Sequence, residues 1–531
     1  MVAPAPPRIE FSAATRQLIG AYALSNRVGL IGLVLAALAV PLYAEDDLGP
    51  LTEHDEIDLS ELPDFGDSAG AYISPEQERL LGQGFMREMR RNAPLVTDEE
   101  VEDYIQKIGM TLGRESGYYG DFNFFVVESS VINAFAVPGG YIGVHSGLIL
   151  GSNSESELAS VLAHEVSHLT QRHGARMIEA AGKMSLPTMA AYLGAIILAA
   201  IDPQAGLGAL AAIGAASQQY QINFTRANEK EADRIGIELL NTAGYDTMAM
   251  AKFFERLQLA NRYTDPEEIP EYLRSHPVTV NRIAEARERA EKMNSKVVRE
   301  DSYEYLLIWQ KLNVMSAADP AQAKTYYETT LRDGTYRNET AARYGYALAL
   351  SEAGNFEKAR IELGKLLHEQ PNIAAFQIAA ARIEQQAGKL ALALELFDRA
   401  RRKNPDSRAA IYGYVSLLTN TGDPAEARQI LRDFGSTENR DPRFFKLLAE
   451  AEEKTGDVVN SHYDLSEYYR VVGEIELAAE QLKLAQAVDN ISHYQRMRVD
   501  ARLDEIEKDL DRVDIERAKR KEREERKRSR D

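Results

Sequence analysis

Cysteine is absent from the 531 residues, which excludes disulfides, thiolate metal ligands and a cysteine nucleophile. Any transition-metal site must therefore be built from histidine and carboxylate. An excess of positive charge is missing too: 62 Lys and Arg stand against 82 Asp and Glu, a formal net charge of -20 that argues against wholesale nucleic-acid binding. Beyond the N-terminal leader there is also no unbroken apolar run of the roughly 20 residues that span a bilayer. The most apolar stretch, Met184 to Ile201, is broken by Asp202-Pro203 and resumes from Ala205 to Ala216. A chain embedded by several spanning helices is thereby disfavoured. This stretch is expected to form a helical hairpin or lid, with peripheral membrane contact as the second reading.

The length exceeds what one hydrophobic core usually serves, so two or more domains are expected. Residues 1–44 carry Arg8, Arg16 and Arg27, the apolar run Val28 to Val40, and then Pro41-Leu42-Tyr43-Ala44 before acidic residues. That order reads as a cleaved secretory signal, with an uncleaved anchor as the alternative, and either places the remainder outside the cytoplasm. Residues 45–72 are acidic and poor in large apolar side chains, a linker. Order is expected to begin at Ser74-Pro75-Glu76, an N-cap followed by proline at the first helical position. A second helix is expected over about Asp98 to Leu112, and strands over Phe122 to Val127 and Tyr141 to Val144. A buried helix is read from Ser154 to Ala181, and an amphipathic one from Gln218 to Ala243, stopped by Gly244. The fold class is mainly α with a small β-sheet: an α+β domain over residues 73–298, then an all-α solenoid over residues 299–515.

The solenoid rests on a repeat. Gly354, Gly388, Gly422 and Gly456 recur every 34 residues, Ala359, Ala393 and Ala427 keep the same step, and so do Pro371 and Pro405. This period, with small residues where helices cross and proline closing a helix, resembles the tetratricopeptide repeat, whose units must stack to bury their faces and so form a concave binding surface. Val499, Leu503, Ile506, Leu510 and Val513 give a final capping helix one apolar stripe. The tail, residues 516–531, holds nine Lys and Arg with five Asp and Glu and is read as a solvated helix end.

His164-Glu165-Val166-Ser167-His168 is an H-E-x-x-H motif inside the first buried helix. Residues four apart share a helix face, so both imidazoles reach one metal while Glu165 lies beside it, placed to take a proton from an attacking water. A catalytic zinc needs a third protein ligand and an open fourth position. About sixty residues on lies Asn228-Glu229-Lys230-Glu231-Ala232-Asp233, where Glu229 and Asp233 share a face. Glu229 is assigned as the third ligand of one Zn2+ per chain, and Asp233 as the acceptor that fixes the tautomer of a ligand histidine. His173 falls on another face of a continuous helix and His145 in a strand, so both are left out.

These segments, together with Ser275-His276-Pro277-Val278-Thr279-Val280-Asn281-Arg282-Ile283, resemble the gluzincin metallopeptidases, the family of the CAAX prenyl protease and the heat-shock membrane protease. With an export signal before it and repeats after it, nearly the whole chain resembles the family's periplasmic beta-barrel assembly-enhancing proteases. That resemblance implies a zinc endopeptidase with His164, His168 and Glu229 as ligands and Glu165 as general base. It further matches His276 and Arg282 to a His-Pro and Arg-Ile segment. There His276 either latches the open metal position or donates to a developing oxyanion, and Arg282 binds a carboxylate or orients Glu229 or Asp233. Asn133, Ala134, Phe135, Ala136 and Val137 resemble an edge strand beside the cleft, to which an extended substrate can pair. The partners implied are unfolded or misassembled outer-membrane proteins, the barrel-assembly machinery and the lipopolysaccharide-export barrel. The competing reading is a repeat-based assembly chaperone with a latent or structural zinc site.

Overall fold

The computed structural model describes residues 73–118, 120–180, 218–261, 271–293, 299–435, 441–508 and 510. The expected leader, linker, apolar stretch 184–216 and tail 516–531 lie outside them. Among the described residues no helix is long and apolar enough to cross a membrane.

The chain enters through α1 (Pro75–Asn92), opened as its sequence suggests by a capping box: the Ser74 hydroxyl accepts from Gln77 N and the Gln77 side chain accepts from Ser74 N. Helix α2 (Glu99–Glu115) is capped by the Asp98 carboxylate, which accepts from Glu100 N and Val101 N. Three short strands follow, β1 (Asn123–Val127), β2 (Ala134–Val137) and β3 (Tyr141–His145), in the order β1-β3-β2. β1 runs parallel to β3 and β2 antiparallel, so β2 is an edge strand, with Asn133 just ahead of it. After α3 (Ser146–Gly151) comes α4 (Glu155–Thr170), the helix that carries the H-E-x-x-H motif and packs against α2 and β2.

The helix expected over residues 154–181 is two helices. α4 ends at Thr170, Arg172 takes a left-handed φ of 51°, and α5 (His173–Ala180) sets off afresh. A non-glycine residue holds such a conformation only when its surroundings fix it. Here the Arg172 guanidinium donates to Glu78 Oε1 at 2.8 Å and to the Ile73 carbonyl at 2.8 Å. Then come α6 (Gln218–Thr242), α7 (Ala249–Asn261), the short α8 (Glu271–Ser275) and α9 (Val280–Lys292). Gly236 on α6 lies against α4: a Cβ there would sit 3.3 Å from both Ala163 C and His164 N. A side chain at that position would hold the two helices apart.

The second half is a run of antiparallel helix pairs: α10 (Tyr303–Met315), α11 (Pro320–Asp333), α12 (Glu339–Glu352), α13 (Phe356–Glu369), α14 (Ala374–Gln386), α15 (Leu390–Lys403), α16 (Arg408–Thr421), α17 (Pro424–Phe434), α18 (Pro442–Lys454), α19 (Val458–Val472) and α20 (Ile475–Gln486). A last helix, α21, covers residues 493–508. Ala359, Ala393 and Ala427 are each completely buried where paired helices cross, as the 34-residue step suggests. Gly354, Gly388 and Gly456 are left-handed at helix ends, whereas Gly422 is not. Val499, Leu503 and Ile506 bury against Val459, Tyr463 and Leu482, closing the array.

The halves are joined twice. Tyr305, Ile308 and Leu312 of α10 belong to the same core as Leu162 and Val166 of α4. Four helices of the array, α10, α14, α16 and α18, also send basic side chains to the acidic start of α2. Lys311 Nζ lies 2.7 Å from Asp98 Oδ2, Arg382 reaches Asp98 at 2.8 Å and Glu99 at 2.9 Å, and Arg408 Nε donates to Asp103 Oδ1 at 2.7 Å. Arg443 pairs with Glu102. Burial alone raises the Asp98 carboxyl, but Lys311 and Arg382 outweigh it and hold Asp98 well below the usual range.

Arg382→Ala is expected to cost about 2 kcal/mol, the loss of charge-assisted hydrogen bonds to partly buried carboxylates, and to lower the melting temperature by a few degrees. An unchanged melting temperature in the full chain refutes the clasp. Since Asp98 titrates lower in the folded chain, its contribution is present above the unfolded value near 4 and is lost as pH falls through the folded one.

Candidate metal centre

α4, α6 and the segment after α8 deliver four side chains to one point: His164, His168, Glu229 and His276 each offer a ligand atom, all within 4.8 Å of one another. His164 Nε2 is 3.0 Å from His168 Nε2 and 3.3 Å from Glu229 Oε2, and His168 Nε2 is 3.3 Å from Glu229 Oε1. His276 Nδ1 stands 3.1 Å from each Glu229 oxygen and 3.3 Å from His164 Nε2. Three imidazole nitrogens and a carboxylate facing one another, nearly all buried, form a donor set of the kind that divalent zinc-like ions take. The residues present fit a metal.

Glu165 is 1% exposed, and its carboxylate accepts from the backbone of Ala136 on β2. Its Oε1 makes no hydrogen bond among the described residues and is 3.4 Å from His276 Nε2. Burial pushes the Glu165 carboxyl up, partly offset by the two nearby histidines, a direction that suits a proton acceptor working near neutral pH. The edge strand thus lies directly beside the carboxylate. Of its residues, Phe135 packs on Phe85 and Phe125, while Asn133 and Ala134 are buried.

Behind the ligands, His164 Nδ1 is 2.9 Å from Asp233 Oδ1. Arg282 grips Asp233 with both arms of its fork, Nε to Oδ2 at 2.7 Å and Nη2 to Oδ1 at 2.8 Å, and Nη1 reaches Glu229 Oε2 at 2.9 Å. Of the two carboxylate roles left open for Arg282, the geometry contains both. Burial works against the charge on His164, yet Asp233 and Glu229 beside it hold its pKa up at about 10. Burial also opposes ionisation of Glu229, but His276, His164 and His168 keep it well below the carboxylate range.

His-Pro chemistry places His276 and Arg282. Pro277 stops α8, Thr279 accepts from Arg282 N to start α9, and the two side chains approach the centre from separate elements.

Two neighbours escape a reading of the sequence. Tyr272, completely buried, stacks on His276 with ring centroids 4.9 Å apart at 28°. No spacing signals it. His173 is 2% exposed with Nδ1 2.8 Å from His168 Nδ1. The face argument that set it aside assumes one continuous helix, and the break at Arg172 removes that assumption. His145, as expected, is packed at the end of β3, away from the cluster.

A buried H-E-x-x-H helix, a buried carboxylate brought to it from a second helix and a trailing solenoid define a metallopeptidase joined to tetratricopeptide repeats. The chain belongs to the family of the beta-barrel assembly-enhancing proteases, within peptidase family M48, whose profile matches residues 97–290; tetratricopeptide profiles match residues 314–372 and 385–451. The beta-barrel assembly-enhancing protease of Escherichia coli (strain K12) is 35% identical over 448 residues, covering 84% of this chain and 91% of that protein. The Yersinia pestis protein of the same description is 35% identical over 446 residues, with the same two coverages, 84% and 91%. Human mitochondrial metalloendopeptidase OMA1 is 31% identical over 161 residues, 30% of each chain. The chain is a metalloprotease, and its family implies a metal.

Arg282→Leu removes the one guanidinium lying between two buried carboxylates. The expected loss is about 3–5 kcal/mol in the metal-free protein, measured by thermal or denaturant unfolding. A change under 1 kcal/mol counts against the fork as the centre's electrostatic support.

Proposed function

We propose that this chain is an exported, periplasmic zinc endopeptidase of outer-membrane protein assembly and quality control. It degrades barrel proteins that stall or misassemble, and its repeats supply chaperone-like selection of partners. The observation that carries the reading is the convergence of His164, His168 and Glu229 with the buried Glu165 carboxylate alongside. Support for the setting comes from the likeness to the Escherichia coli relative, a beta-barrel assembly-enhancing protease. By the family resemblance, the partners are the barrel-assembly machinery, the lipopolysaccharide-export barrel and unfolded outer-membrane proteins, while the net charge of -20 argues against nucleic acid.

On this reading His164, His168 and Glu229 hold one zinc ion, which when bound acidifies water and polarises a carbonyl. Glu165 takes the proton of the attacking water and returns one to the leaving amine. Asp233 and Arg282 keep His164 and Glu229 in register. An extended substrate pairs with the free edge of β2 through main-chain hydrogen bonds, which accounts for broad sequence tolerance. His276 is read as a latch rather than an oxyanion donor, because its Nδ1 sits among the ligand atoms, 3.1 Å from Glu229 Oε1.

The second reading, a scaffold with a latent zinc site, draws on that same occupancy by His276. Glu165→Gln separates them. The purified chain is expected to bind one zinc per chain as wild type and as Glu165→Gln, with casein-type proteolysis lost only in the variant. Absence of metal from both sinks the enzyme reading. His276→Ala is expected to raise proteolysis if the residue latches the site. A fall of about 100-fold or more would instead assign it to the oxyanion.

A further inference from the structure

Both ligand histidines present their outer nitrogen to the protein interior, but to different groups. For His164 the group is Asp233, backed by Arg282. For His168 it is His173, whose Nδ1 is 2.8 Å from His168 Nδ1, with the rings at 77°. The other His173 nitrogen, Nε2, lies 3.3 Å from Glu231 Oε2, and Arg176 Nη1 donates to that same oxygen at 3.0 Å. The mechanism described above uses none of His173, Glu231 or Arg176.

The proton positions follow from what each atom can do. The Nε2 of His168 faces His164 and Glu229 in the cluster, so a metal there takes its lone pair and the ring's proton resides on Nδ1. A donor at 2.8 Å requires an acceptor opposite, so His173 Nδ1 is a bare lone pair and its proton is on Nε2. That proton faces an ionised carboxylate, which only accepts. Every role in the chain His168, His173, Glu231 is thus determined, with the Arg176 cation at its end.

We propose that His173 is a positioning residue for the metal centre: it accepts the Nδ1–H of His168, donates to Glu231, and so fixes the tautomer and ring plane of that ligand. It does for His168 what Asp233 does for His164, with an imidazole standing between the ligand and the carboxylate of Glu231 on α6. The left-handed Arg172 makes this possible. It lies two residues past the end of α4 and turns α5 so that His173, which a continuous helix points elsewhere, folds back on His168. The hydrogen bonds of Arg172 to Glu78 and Ile73 hold that turn.

The inference rests on His168 being a ligand, and the experiment keeps the two ideas apart. Zinc affinity of the full chain is measured by competition with a chromogenic chelator for wild type, His173→Leu and His173→Gln, alongside the melting temperature of each in metal-free form and its kcat and KM. His173→Leu is expected to weaken zinc binding by about 10–100-fold, to lower kcat with KM within about twofold, and to leave the metal-free melting temperature unchanged. Glutamine offers a carbonyl oxygen to His168 and an amide hydrogen to Glu231, and is expected to restore most of the affinity. Wild-type affinity in His173→Leu overturns the proposal while leaving the metalloprotease centre intact. So does a loss that tracks a fall in metal-free stability and is not rescued by glutamine, since that marks simple packing. A wild-type chain that binds no zinc overturns the ligand assignment itself.

Discussion

Two carboxylates, Glu229 and Asp233, are buried one turn apart on α6, and the arrangement of the catalytic half depends on that charge being met. An ionised carboxylate without partners in a protein interior costs several kcal/mol, so the fold must bring cations or strong donors to both. Arg282 does this for the pair, with its guanidinium also stacked 4.9 Å over Phe254 of α7. His164 supplies the opposite side of Asp233. The consequence is geometric: α4, α6, α7 and α9 cannot shift independently, because each contributes one face of the same charge cluster. The close approach that Gly236 permits belongs to this constraint, since it sets the reach from the carboxylates to His164.

The solenoid shares in it. α10 is at once the first helix of the array and part of the core beneath α4, with Tyr305 donating to the Ser152 carbonyl and Trp309 to the Leu150 carbonyl, both at 3.0 Å. At the start of α2, four acidic residues occupy the N-cap and first turn, and Asp103 follows directly. The helix dipole favours negative charge there but by less than 1 kcal/mol per group, too little to offset mutual repulsion and burial. Lys311, Arg382, Arg408 and Arg443 of the array provide the remaining compensation. The repeats therefore act as a structural part of the protease, and any partner bound along them acts on a body already coupled to α2 and α4.

How much of this is legible without coordinates follows from the range of each signal. The four-residue step of His164 and His168, the shared face of Glu229 and Asp233, the Ser74 capping box and the 34-residue repeat are all local periodicities, and local periodicity survives in sequence. The joining of Glu229 to the histidine pair spans about sixty residues and is readable only because cysteine is absent and a third ligand is required. The clasp on α2 has no such signal. Asp98 and Arg382 are 284 residues apart, and acidic residues in a first helical turn are what an ordinary solvated helix carries. His173 is a different kind of case: it stays outside the cluster of candidate ligands, but its approach to His168 is hidden because one residue, Arg172, leaves helical space where a period argument assumes continuity.

The four converging side chains are not equally anchored. His164 and His168 sit on a 16-residue helix packed on both sides, and Glu229 on a helix of 25 residues, whereas His276 follows one of five. Its ring is steadied chiefly by the stack with Tyr272, yet the Tyr272 hydroxyl is buried without a hydrogen bond among the described residues. Such an orphaned group costs about 1–3 kcal/mol. Moving α8 outward would take His276 from Glu229 while leaving Arg282, in the first turn of α9, on its two carboxylates. The centre is thus anchored unevenly: Arg282 and His164 meet the two carboxylates from helices of 13 and 16 residues, whereas the contact of His276 with Glu229 depends on a helix of five.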